Sequence, residues 1–197
     1  MKGRIYISSA FTNLPAKCKP FGGFVDNDPH FWSQPPTWGI CRTDFRRNLD
    51  PGDFIFFVLP KNAKDAIGSD LPQMIYGYIK IARHINHMTA YNQYPNKRMK
   101  NAIPNGNIIV NQNGLYNPYD LGIHKDHFNE IKEHYIVGDE SESKFLKPFE
   151  IKRLAPQFIV VLNSIFDTQE SDIFKVICRK GRVLDEGQIE ILLDWLK

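Results

Sequence analysis

The chain has 197 residues, 42% hydrophobic and 24% charged, with 25 Lys and Arg against 22 Asp and Glu. That is the size and balance of one globular domain, and a net charge of +3 is too mild to specify a nucleic-acid partner by itself. The longest apolar runs, Phe54–Leu59 and Phe158–Leu162, are strand-sized, which excludes a membrane-spanning helix.

The N-terminal segment has no apolar core of the signal-peptide kind and reads as a first strand, Arg4–Ser9. Ala10–Pro36 is irregular, rich in Pro and Gly, and carries Phe11, Phe21, Phe24, Phe31 and Trp32. A loop this long in a small domain is often functional. Thr37–Cys41 predicts a short strand, and Thr43–Leu49 one or two helical turns with Thr43 as N-cap. Asp50-Pro51-Gly52-Asp53 predicts a tight turn, because Pro presets φ and Gly permits a positive one. Phe54–Leu59 then predicts a buried strand. Met74–Ile85 predicts a long one, with Gly77 marking a bulge or a close backbone approach.

Residues 86–135 are rich in Asn and read as an irregular elaboration on one face, without a core of its own. Within them Ile108–Val110 reads as an edge strand. Tyr135–Gly138 opens another ordered segment, and Pro156–Leu162 and Ile173–Cys178 read as strands, followed by a Lys180-Gly181 turn. Asp185 and Gln188 predict a capping box that starts a C-terminal helix, with Ile189, Leu192, Leu193 and Leu196 as its apolar stripe.

The chain lacks a phosphate-binding GxxxxGK loop, GxGxxG, HExxH and GxSxG. Three widely spaced cysteines, Cys18, Cys41 and Cys178, argue against a disulfide framework and for a reducing cytoplasm. His84/His87 and His124/His127 have HxxH spacing, but only Asp126 and Glu130 stand near as further ligands. They read as hydrogen-bonding or solvated, and no metal or cofactor is expected. Cys41 reads as a buried thiol, with catalysis as its alternative. Asp53 reads as a turn cap or as a carboxylate facing a pocket.

Arg42 and Arg46 stand four apart across the start of the short helix and follow Trp38. Forked guanidinium donors suit phosphate or a base edge, and aromatic stacking beside basic anchors is how unpaired bases are held. The competing reading makes Trp38 a core strand residue and the arginines a solvated face with Asp44 and Asp50.

The run Thr37-Trp38-Gly39-Ile40-Cys41-Arg42-Thr43-Asp44-Phe45-Arg46, followed by Pro51-Gly52-Asp53-Phe54-Ile55-Phe56 and later by Ile75–Ile81, resembles the nucleotide-modification-associated domain families. It also resembles the wider PUA-like set with its ASCH, EVE and YTH domains. The close match spans residues 37–81, and a looser one residues 4–166. The resemblance implies an α+β fold: a PUA-like, partly open β-barrel over 1–166 with short flanking helices, into which the Asn-rich 86–135, without a counterpart in these families, is read as an irregular insertion. Residues 167–197 are expected to add a strand and a C-terminal helix to the same domain.

It further implies a module that recognises nucleic acid or a nucleotide through a modified base, in phage or prokaryotic DNA modification or defence; the cysteines and the short apolar runs add the expectation that it is cytoplasmic and without membrane association. On that reading Trp38 stacks on the base, with Phe31 or Trp32 as a second wall. Arg42 and Arg46 hold phosphate or a base edge, Asp53 accepts from an amine, and Tyr76, Tyr78 and Cys41 complete the pocket. Two alternatives stay open: a small enzyme acting on a modified nucleotide by hydrolysis or group transfer, and a subunit that binds partner proteins of such a system.

Overall fold

The computed structural model describes residues 1–8, 28–64, 69–100 and 106–197. Cys18 and the loop aromatics Phe11, Phe21 and Phe24 lie outside the described residues.

Seven strands form an open mixed sheet: β1 (Gly3–Ile7), β2 (Thr37–Trp38), β3 (Phe54–Val58), β4 (Ile75–Ile85), β5 (Tyr135–Gly138), β6 (Lys144–Phe145) and β7 (Arg182–Leu184). The order is β2-β5-β4-β3-β1-β7, with β6 beside β4. Among the described strands, only the β1–β3 pair runs parallel. The pairing path does not close, so among the described residues this is an open sheet and not a closed barrel. The long β4 spans both halves: Ile75–Lys80 pair with β3, and Ile81–Ile85 with β5.

Gly77 sits where the sequence places a close approach. A methyl group there would lie 2.9 Å from the Phe31 ring and 3.1 Å from the Lys144 carbonyl. Beside it Tyr76 bulges out of register, between the pairs Phe57–Gly77 and Val58–Ile75. The bulge turns Tyr76 onto the same face as Phe57, while Tyr78 packs with Phe54 and Phe56 on the other.

Two segments read as strands are helices. Pro156–Leu162 lies inside α4 (Pro148–Phe166), and Ile173–Cys178 largely forms α5 (Ile173–Ile177). The β-branched run in 158–162 suggested a strand. The wider spacing of Ile151, Leu154, Phe158, Leu162 and Ile165 is helical, and those five are buried. Pro148 starts α4, and Glu150 accepts from the Lys147 N–H at 2.8 Å. Pro156 is tolerated on the exposed side. At the C-terminus α6 (Glu186–Trp195) has the expected capping box: Asp185 accepts from Gln188 N–H at 2.9 Å, and Gln188 from Asp185 N–H at 3.1 Å. Helices α4, α5 and α6 contribute Phe158, Leu162, Ile177, Ile189 and Leu192 to the main core, which they share with the sheet.

The Asn-rich region does build a core of its own. Ala90, Met99, Ile108, Ile109, Val110 and Ile131 pack with Ile40, Tyr135 and Val137 as a second buried cluster. Short apolar residues scattered among asparagines give no periodicity, so the sequence alone does not announce it. Ile108 and Val110 make single bridges to Arg98 and Tyr116 instead of an edge strand. The region also holds α2 (His87–Gln93), capped by the Asn86 side chain on Thr89 N–H at 2.8 Å, and α3 (Phe128–Ile131). Among the described residues no helix is long and apolar enough to cross a membrane.

Candidate functional site

Trp38 is fully buried. Its ring stacks on Tyr6 with centroids 5.7 Å apart and meets Phe57 edge-on at 5.3 Å. It has no face to offer a base. Arg46 is buried as well, on the single turn α1 (Thr43–Arg46). Its guanidinium donates to the carbonyls of Gly39, Ile40 (2.9 Å) and His134 (2.6 Å) and to Thr43 Oγ1 (2.9 Å). Both residues frame the fold, which corrects the expectation that they stack on a base and hold phosphate.

The segment Gly39–Cys41 is fixed from its other side by Asp28. This buried carboxylate accepts the N–H groups of Gly39 (2.6 Å), Ile40 (2.8 Å) and Cys41 (2.5 Å), and the Asn107 amide at 3.1 Å. Burial raises the Asp28 carboxyl above its ordinary value, and the Arg46 charge and the three N–H donors oppose that rise. His87 completes the frame. Its Nε2–H donates to the Gly39 carbonyl at 2.8 Å, and its Nδ1 accepts the Ile109 N–H at 3.1 Å. Burial holds its pKa at about 3, so the ring is neutral.

Arg42 diverges from Arg46. It takes a left-handed conformation (φ 54°) where α1 begins, so the N-cap is Arg42 and not Thr43. Its guanidinium forks onto Asp44 at 2.9 and 2.7 Å and lies 3.6 Å from the Phe45 ring centre. Two further N–H groups reach the carbonyls of Arg179 and Lys180, both at 3.3 Å. Arg42 thus ties the turn before β7 to α1.

Those elements bound a cleft of about 520 Å³. Its lining includes Tyr6, Ile7 and Ser8, where β1 ends, with Cys41, Arg42, Thr43, Asp44, His124, His127, Glu130 and Arg179. Arg179 and His127 are exposed. His124 is oriented: its Nδ1–H donates to the buried Asp120 carboxylate at 2.9 Å, which leaves Nε2 as the acceptor.

The remaining sequence candidates lie elsewhere. Asp53 is a turn cap, accepting from Lys2 N–H and Asp50 N–H, both at 3.0 Å. Phe31 packs on Phe57, Tyr76 and Phe145, and Trp32 meets Phe145 edge-on; neither lines the cleft. Tyr76 and Tyr78, on opposite faces, cannot share a wall. Of the nine candidates, then, Cys41 and Arg42 meet at this cleft. Arg179, His124 and Asp120 were missed. The sequence signals were the basic run Arg179-Lys180 before Gly181 and, for His124, its HxxH spacing with His127, which reads as hydrogen-bonding or solvated.

The HxxH pairs split. His84 Nε2 faces His134 Nδ1 at 3.1 Å, while His87 points into the second core. Among the described residues no three His, Cys, Asp or Glu are grouped as a metal site would require. In comparisons with family models, curated proteins and solved structures, the chain matches none.

Proposed function

We propose that this chain is a PUA-like module that recognises a nucleotide or a modified base of nucleic acid, and that its site is the cleft between the end of β1, the start of α1 and the 178–181 turn. The observation that carries the reading is the gathering of opposite chemistries in the lining of one cleft of nucleotide size. Arg179 is exposed there for phosphate, while the carboxylates of Asp44, paired with Arg42, and Glu130, paired with Arg47 at 3.3 Å, keep lone pairs to accept from base amines. Cys41 and Arg42, which carry the family resemblance, line the same space. Trp38 and Arg46 serve it indirectly, by holding the backbone on which Cys41 and Arg42 stand.

A thermal-shift and calorimetric screen against nucleotides, modified nucleosides and short single strands tests this, since a ligand of the folded state raises its stability. Arg179→Ala should weaken binding, leave the melting temperature in place and reduce the salt slope by about one phosphate contact. Absence of any stabilising nucleotide, or unaltered affinity in Arg179→Ala, overturns the reading.

One observation favours the enzymatic alternative in the same cleft. His124, oriented by Asp120, has the arrangement of a general base toward a bound nucleotide. Turnover of a nucleotide that binds, abolished by His124→Gln, would separate catalysis from recognition alone.

A further inference from the structure

On another part of the surface, a serine hydroxyl stands between two basic nitrogens. Ser33 Oγ lies 3.1 Å from Lys97 Nζ and 3.4 Å from His30 Nε2. Lys97 is buried and its ammonium head is anchored a second time, on the Ser33 carbonyl at 2.8 Å. Ser33 itself is half-buried, and the neighbouring Trp32 is exposed. Neither Trp32 nor Phe31 lines the nucleotide cleft.

We propose that Ser33 and Lys97 form a nucleophile–base pair for acyl transfer, acting on small esters or amides whose flat acyl group rests against Trp32. This site is separate from the cleft and does not depend on how the cleft is read. A nucleophilic serine needs a base within hydrogen-bond reach and a third contact that holds the base still. Lys97 meets the first requirement, and its bond to the Ser33 carbonyl meets the second.

Two nitrogens compete for the proton, and their basicity decides between them. Burial brings His30 to about 3, too weak to deprotonate a hydroxyl near neutrality. Burial brings Lys97 to about 7, with Glu140 opposing, so a large share of it is a neutral amine at physiological pH. A base works best with its pKa near the working pH.

In the step itself, Ser33 Oγ bonds to the substrate carbonyl carbon as its proton passes to the Lys97 lone pair. The tetrahedral adduct collapses, the carbonyl–leaving-group bond breaks, and Lys97 returns the proton to the leaving alkoxide or amine. Water then attacks the Ser33 ester, again giving its proton to Lys97. As that second adduct collapses, the bond from the acyl carbon to Ser33 Oγ breaks and Lys97 returns the proton to Oγ, which restores the hydroxyl and the neutral amine and releases the acid. The sum is hydrolysis by one water, with no oxidant and no cofactor.

The test treats the whole chain with p-nitrophenyl acetate and with a fluorophosphonate, reading the mass adduct, its position by peptide mapping, and the rate between pH 5.5 and 9. The expected result is one adduct, on Ser33. Its rate should rise about tenfold per pH unit below neutrality and level off above pH 7, following the neutral Lys97 amine. Ser33→Ala should give no adduct, and Lys97→Met should lose at least about 100-fold in rate together with the pH profile. If Lys97→Met fails to fold, Lys97→Arg keeps a buried cation without a basic lone pair and should lose the same profile. No adduct on folded protein, an adduct elsewhere, or a rate unchanged in the Lys97 variants overturns the proposal.

Discussion

Asp28 and Arg46 hold the same stretch of backbone from opposite sides. The carboxylate takes the N–H groups of Gly39, Ile40 and Cys41, and the guanidinium takes the carbonyls of Gly39 and Ile40. Neither charge touches the other directly; the peptide units between them carry the complementarity. Removing one partner leaves the other charge buried and several peptide groups unsatisfied. Arg46→Ala is therefore expected to cost about 3–5 kcal/mol in urea unfolding. Asp28→Asn combined with Arg46→Met should cost less than the sum of the two single changes. An Arg46→Ala protein within about 1 kcal/mol of the parent would show that the clamp is not structural.

Trp38 stands behind that clamp, stacked on Tyr6 and wholly enclosed. Trp38→Ala is expected to cost about 3–5 kcal/mol of stability. Any loss of nucleotide binding should follow from unfolding, and should disappear at temperatures where the variant is still folded. Arg179→Ala should behave in the opposite way, with affinity lost and melting unchanged. If Trp38→Ala melts normally and binds poorly, the direct stacking role is restored.

His30 and His87 are held neutral, both at about 3 against an ordinary value of 6.5. Below pH 6.5 the unfolded chain takes up protons that the folded chain refuses. Their contribution is therefore complete above pH 6.5 and is lost as pH falls from 6.5 toward 3, at up to about 1.4 kcal/mol per unit for each ring. Urea unfolding as a function of pH should show the loss. Imidazole NMR should show His87 as the Nε2–H tautomer well below pH 5. Titration of His87 near 6.5 would contradict its placement in the core.

Gly39 is required by contact and not by a turn. A methyl group on it would stand 2.5 Å from the Asn107 carbonyl and 2.6 Å from the Tyr135 ring. Neither neighbour can yield easily. Asn107 is buried and bonded to Asp28 and Thr37, and the Tyr135 hydroxyl donates to Asn107 Oδ1 at 2.6 Å. Gly39→Ala should cost about 1–3 kcal/mol. A circular-dichroism melt that matches the parent protein would refute the close fit.

By itself the sequence determined what local chemistry determines. The Asp50–Asp53 turn, the apolar strand after it and the Asp185–Gln188 capping box rest on neighbours within a few residues, and they stand where the residues place them. At Gly77 the missing side chain marks the approach, but its partners, Phe31 and Lys144, come from distant parts of the chain. The strand reading of Pro156–Leu162 failed because a short apolar run has no period of its own. Only the spacing from Ile151 to Ile165, and the core that α4 covers, make it a helix. Tertiary structure alone decided the site. Arg42 and Arg46 stand four apart and would share a helical face. But Asp28, 18 positions before Arg46, fixes the intervening backbone so that one guanidinium is enclosed and the other reaches the Arg179 and Lys180 carbonyls. Long-range contacts of this kind follow from burial and desolvation of groups far apart in the chain, which no local pattern encodes.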